Sequence, residues 1–136
     1  MVYPMFALVI LTFAVLGVLL RARVAAVRRG QLSLGYFRLY QGADEPDATR
    51  KPSRHLSNLF ETPVLFYVVC LAALATHVDG RAMRALAWTY VALRCIHAFV
   101  HIRGNNVIQR MWAYLASLVV LLAMWICLVA ALGVAA

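Results

Sequence analysis

The sequence predicts an all-α fold, a bundle of four membrane-spanning helices. Three observations predict it. The chain is 65% hydrophobic and only 13% charged, whereas roughly 45–50% apolar is normal for a soluble domain. Four apolar runs, at about 2–20, 59–78, 82–102 and 111–134, each suffice to cross a hydrocarbon core, which takes about 20 helical residues. Within the runs Leu, Ala and Val follow one another without the alternation that barrel strands require. The whole chain, 1–136, reads as one integral membrane domain with lipid as its solvent.

The first run carries no charge, and Arg21 and Arg23 follow it directly. It lacks the basic start of a secretory leader, so a retained anchor is expected. The loop 21–57 is the one sizeable polar stretch. Its first half, "RARVAAVRRGQLSLGYFRLYQG", interleaves Arg with Tyr36, Phe37 and Tyr40. Such a segment either lies at the headgroups or is an ordinary basic linker. "ADEPDATRKP" then reads as a polar turn, with Pro46 and Pro52 as breakers.

The second run opens with polar residues. Arg54, Asn58 and Glu61 are spaced i, i+4, i+7 and share one helix face. The third run repeats the device: Arg94, His97 and His101 are spaced i, i+3, i+7. "HIRGNNVIQR" ends that helix, with Gly104, Asn105 and Asn106 as stop residues. Arg110 starts the fourth helix, and Trp112 and Tyr114 read as interface anchors. Cys70, Cys95 and Cys127 lie inside runs, without ligand spacing, and read as buried packing residues. No metal site is expected.

Orientation follows the basic residues. The first loop holds Arg21, Arg23, Arg28, Arg29, Arg38, Arg50, Lys51 and Arg54, the third holds Arg103 and Arg110, and the second offers Arg81. The first and third loops should be cytoplasmic and both termini should lie on the far side. That bias accounts for the net charge of +8, and no nucleic-acid partner is expected from a chain with so little soluble face.

Ionisable residues in lipid are costly, about 2.5–3.5 kcal/mol at mid-helix for an Arg or Asp. Glu61 and Arg94 are therefore expected to face inward and meet. They form either a structural ion pair that sets helix register or part of a hydrophilic pocket open to the cytosol. Arg54, Arg94, Arg103 and Arg110 would surround such a pocket and suit an anionic, carboxylate-bearing ligand. Simple positive-inside anchoring is the other reading of Arg103 and Arg110.

Two segments carry a family resemblance: "RHLSNLFETP" (Arg54 to Pro63) and "RCIHAFVHIRGNNVIQR" (Arg94 to Arg110). Together, in the second and third spans, they resemble the signatures of the MAPEG family, the membrane-associated proteins in eicosanoid and glutathione metabolism, and most of all its small bacterial members. The resemblance implies a MAPEG-like homotrimer in the bacterial inner membrane, with both termini periplasmic. It implies glutathione as cosubstrate, held between subunits by Arg54, Asn58, Glu61, Arg94, His97 and His101. Arg110 matches the catalytic arginine of the prostaglandin-E-type branch, whereas the leukotriene-type spacing lands on Ile108. Membrane lipids and a lipophilic small-molecule substrate are the other implied partners.

The chain also departs from the pattern. Ser57 stands where some active relatives carry a basic residue, His101 replaces a common Tyr, and Pro63 comes early after Glu61. The resemblance thus leaves two functions open. One is a glutathione-dependent transferase or peroxidase; the other is a non-catalytic protein of the same fold that binds a lipid or a protein partner. A small multidrug exporter is disfavoured because the first run lacks a carboxylate.

Overall fold

A computed structural model describes residues 1–40, 44–104 and 106–135. Asn105, one of the expected stop residues, lies outside them. The described residues form helices α1 (Val2–Arg28), α2 (Tyr36–Leu39), α3 (Asp47–Ala75), α4 (Arg81–Phe99) and α5 (Val107–Ala135). A π-helical turn, Val100–Gly104, continues α4. Four of the helices are long and apolar enough to cross a membrane.

The helices run past the apolar runs at the basic end. α1 continues to Arg28 and closes with a Schellman arrangement. Gln31 N–H reaches the Ala26 carbonyl at 2.9 Å, Gly30 N–H reaches that of Val27 at 3.0 Å, and Gly30 takes φ 68°. That left-handed conformation suits a residue without Cβ. The connecting segment folds back on α1. Ala26, Leu32 and Tyr36 form a small buried cluster, and the Arg23 guanidinium stands 5.4 Å from the Phe37 ring centroid and 5.8 Å from that of Tyr40.

The polar turn expected over 43–52, of which Ala43 lies outside the described residues, is helical from Asp47 onward. Pro46 occupies the N-cap of α3, and Pro52 lies inside the helix and is buried. Asp47 sits in the first turn, where a carboxylate complements the helix dipole, and it pairs with Arg50 and Lys51 at 3.4 Å and 3.5 Å. These exposed pairs contribute well under 1 kcal/mol each. Helix formation here extends the polar stripe of α3 outward, beyond the apolar run.

α1 packs on α3 and α4, while α5 packs on α4 and α3. α3 and α4 therefore face each other across the middle of the bundle and meet through long side chains. Phe66 stacks on Tyr90 with centroids 4.5 Å apart and planes at 13°. Around that pair an apolar core gathers Leu8, Val69, Cys70, Met83, Leu121 and Met124.

Polarity is inverted relative to a soluble bundle. Large apolar groups such as Phe13, Phe60, Trp112 and Val119 are exposed, whereas Arg94 and His55 are fully buried. Of the cysteines only Cys70 is buried; Cys95 and Cys127 lie on the outer faces. Apolar periodicity is weak in a chain this hydrophobic, so their facing could not be read from neighbours.

Candidate functional site

The buried face of α3 runs through Pro52, His55, Leu59, Pro63, Phe66, Cys70 and Ala73. These steps of three and four mark one stripe. The stripe on α4 runs through Met83, Ala87, Tyr90, Arg94 and His97, and His101 in the π turn extends it. Both stripes are apolar toward one end of the bundle and polar toward the other. At the polar end, beside the α1–α3 and α4–α5 connections, a cavity of about 540 Å³ opens. Ligand pockets commonly enclose ~300–1,000 Å³.

Six of the seven expected site residues line this cavity: Arg54, Asn58, Glu61, His97, His101 and Arg110. Ser57, Val107, Met111 and Tyr114 complete the wall. The fourth side thus comes from the first turns of α5. Asn106 starts that helix: its Oδ1 accepts from the N–H groups of Ile108 and Gln109 at 3.1 Å and 3.2 Å, as an N-cap does. The cap secures the first turn of α5, on which Arg110 lies half-buried in the cavity wall. Tyr114, expected as an interface anchor, is half-buried and lines the cavity, whereas Trp112 is exposed.

Arg94 does not line the cavity; it lies behind it, with no accessible surface. The expected ion pair with Glu61 is absent among the described residues. Arg94 Nη2 instead donates to the Asn58 carbonyl at 3.1 Å, and its guanidinium carbon stands 5.7 Å from the Tyr114 ring centroid. The cause is helix phase: Arg94 is on the core stripe of α4, whereas Glu61 is on the exposed flank of α3. Glu61 keeps its carboxylate turned to the cavity.

Arg110 Nη1 lies 3.1 Å from His101 Nε2. A guanidinium only donates, so Nε2 accepts and the proton of the neutral imidazole sits on Nδ1. His101 lies in the π turn, whose extra residue per turn re-aims side chains. His55 is the residue sequence reasoning missed. Its ring centroid is 5.1 Å from those of both His97 and His101, and the latter two are 5.6 Å apart. The apolar stripe of α3, followed back from Phe66 through Pro63 and Leu59, points to His55.

The fold and cavity define a four-helix integral membrane protein, multi-pass, with an open cavity lined by ionisable side chains at one end of its bundle. The family model described as MAPEG family matches residues 1–130 of the 136, and the chain belongs to that family. Some of its members are glutathione-dependent. Searches of curated proteins and of solved structures return no match to the chain.

Proposed function

We propose that the protein is a glutathione-dependent transferase or peroxidase that binds the tripeptide in this cavity and acts on a lipophilic electrophile or hydroperoxide from the bilayer. The supporting observation is that Arg54, Asn58, Glu61, His97, His101 and Arg110, drawn from three helices and a π turn, line one cavity of ligand size. Arg54 and Asn58 suit the tripeptide's carboxylates, since guanidinium and amide groups donate to them. Glu61, which has no ion pair to Arg94, suits its ammonium group. Arg94 would act from behind the wall, holding the Asn58 backbone in place.

A free thiol ionises little at neutral pH, and an adjacent cation favours the thiolate. Arg110 takes that role. The thiolate sulfur then bonds to an electrophilic carbon as its leaving group departs. With a hydroperoxide, it attacks the terminal oxygen and releases the alcohol; a second tripeptide thiol converts the sulfenic acid to a disulfide and water. The resemblance to MAPEG enzymes supports a homotrimer with sites between subunits, and the basic loops support a cytoplasmic opening in a bacterial inner membrane.

The test is calorimetric titration of glutathione into the purified protein in detergent. Saturable binding is expected, weakened roughly tenfold or more by Arg54→Ala, as loss of a charge-assisted hydrogen bond requires. Absence of binding heat would sink the reading. Ser57, an uncharged wall residue, favours a second reading, in which the fold binds a lipid or protein partner without turnover. Arg110→Ala separates the two: an enzyme loses turnover with binding kept, whereas a non-catalytic protein shows no turnover in either form.

A further inference from the structure

We propose that His55, His97 and His101 form a three-histidine site for a divalent transition-metal ion of the zinc class. The three side chains are 0%, 3% and 4% exposed, and one ring nitrogen from each lies within 4.8 Å of the others. Their centroids make a near-regular triangle of 5.1, 5.1 and 5.6 Å. A tetrahedral zinc centre with metal–nitrogen bonds of about 2.0–2.1 Å holds its nitrogens roughly 3.3–3.4 Å apart, so binding requires the rings to turn inward by up to about 1.5 Å at their nitrogens.

The hydrogen-bond inventory gives independent support. Buried imidazoles in a structural role normally have both nitrogens satisfied. Among the described residues His55 Nδ1 and Nε2 and His97 Nδ1 are buried without a partner, while His101 carries its proton on an equally unpartnered Nδ1 and offers its lone pair at Nε2, where Arg110 now donates. The rings crowd together yet do not hydrogen-bond one another. A metal ion is the one partner that takes a lone pair from all three at once. His97 and His101 are an i, i+4 pair on one face, and His55 comes across from the facing helix, a ligand arrangement that helices present readily. His97 and His101 also line the cavity, so a fourth coordination position opens to it.

Charge decides what fills that position and what competes with the metal. Arg54 and Arg110 share the cavity wall, and Arg94 is buried next to it. They oppose a dication, so the fourth ligand is an anion such as hydroxide. Arg110 opposes the ion more directly, because its Nη1 is held by His101 Nε2. Ligation through Nε2 displaces Arg110, so arginine and metal exclude each other at this atom. The site does not depend on whether the cavity binds glutathione.

The experiment uses full-length protein without a polyhistidine tag, stripped with chelator and titrated with Zn²⁺ against a chromophoric competitor. About one ion per chain is expected. Bound Co²⁺ should show the intense visible bands of a four-coordinate ion. His55→Gln should weaken zinc binding at least about a hundredfold, more than loss of an outer-shell contact does. Arg110→Met should tighten it. Unchanged zinc affinity in His55→Gln overturns the proposal, as does a pale six-coordinate cobalt spectrum in the parent protein. Should His55→Gln fail to fold, the parent cobalt spectrum and the Arg110→Met comparison decide.

Discussion

Arg94 illustrates how a charge is tolerated in the middle of this bundle. It is fully buried, and its Nε and Nη1 have no partner among the described residues. One hydrogen bond to a backbone carbonyl and one aromatic face offset only part of the desolvation. Replacing a poorly compensated buried charge by an apolar group of similar length is often neutral or stabilising. Arg94→Met should therefore unfold in detergent within about 1 kcal/mol of the parent, or be more stable, while glutathione binding weakens. A loss of about 3–5 kcal/mol, the mark of a broken buried pair, would refute this account. Glu61→Gln tests the other end of the missing ion pair. Glu61 is exposed to the cavity, so stability should change by less than about 0.5 kcal/mol. Affinity for the tripeptide should fall, read by the same titration.

At the scale of the element, two helix termini make measurable predictions. α3 ends as α1 does, with Val78 N–H bonded to the Ala73 carbonyl at 2.9 Å and His77 N–H to that of Leu74 at 3.3 Å. Here the left-handed position holds His77, at φ 59°, where a Cβ costs roughly 1–2 kcal/mol. His77→Gly should raise the unfolding midpoint, the gain being trimmed by the greater freedom of glycine in the unfolded chain. The N-cap of α5 works the other way: Asn106→Ala should cost about 1 kcal/mol and let the first turns fray. Because those turns carry the wall residues Val107, Met111 and Tyr114, the same variant should weaken ligand binding without replacing a wall residue, which paired unfolding and titration measurements would show.

On the scale of the whole molecule, the chain turns many large apolar groups outward and His55, His97, His101 and Arg94 inward. The outer faces of α1 and α5, with Phe6, Phe13, Val119 and Ile126 exposed, offer apolar surface to lipid or to neighbouring subunits. Native mass measurement from detergent should give three chains per particle if the proposed trimer forms, and one chain would exclude sites built between subunits. The proposed orientation is checked separately. Alkaline phosphatase fused after the last residue should be active in bacteria, since that reporter folds only outside the cytoplasm; an inactive fusion with a normally inserted chain reverses the topology.

Much of this architecture was legible in the sequence. Hydropathy accumulates along the chain irrespective of partners, so the four long helices and the polar stripes on α3 and α4 follow from residue order alone. The spacing of Arg54, Asn58 and Glu61 and that of His97 and His101 placed them on faces that do converge on one cavity. Facing across the bundle is a different matter. Each residue turns a helix by about 100°, so adjacent positions such as Arg54 and His55 point to different neighbours. Which of them meets α4 depends on helix rotation and stagger, and those are set by packing. Only the tertiary structure could therefore decide that Arg94 meets a carbonyl and not Glu61, that Tyr114 enters the site, that a π turn re-aims His101, and that His55 completes a buried triangle of imidazoles.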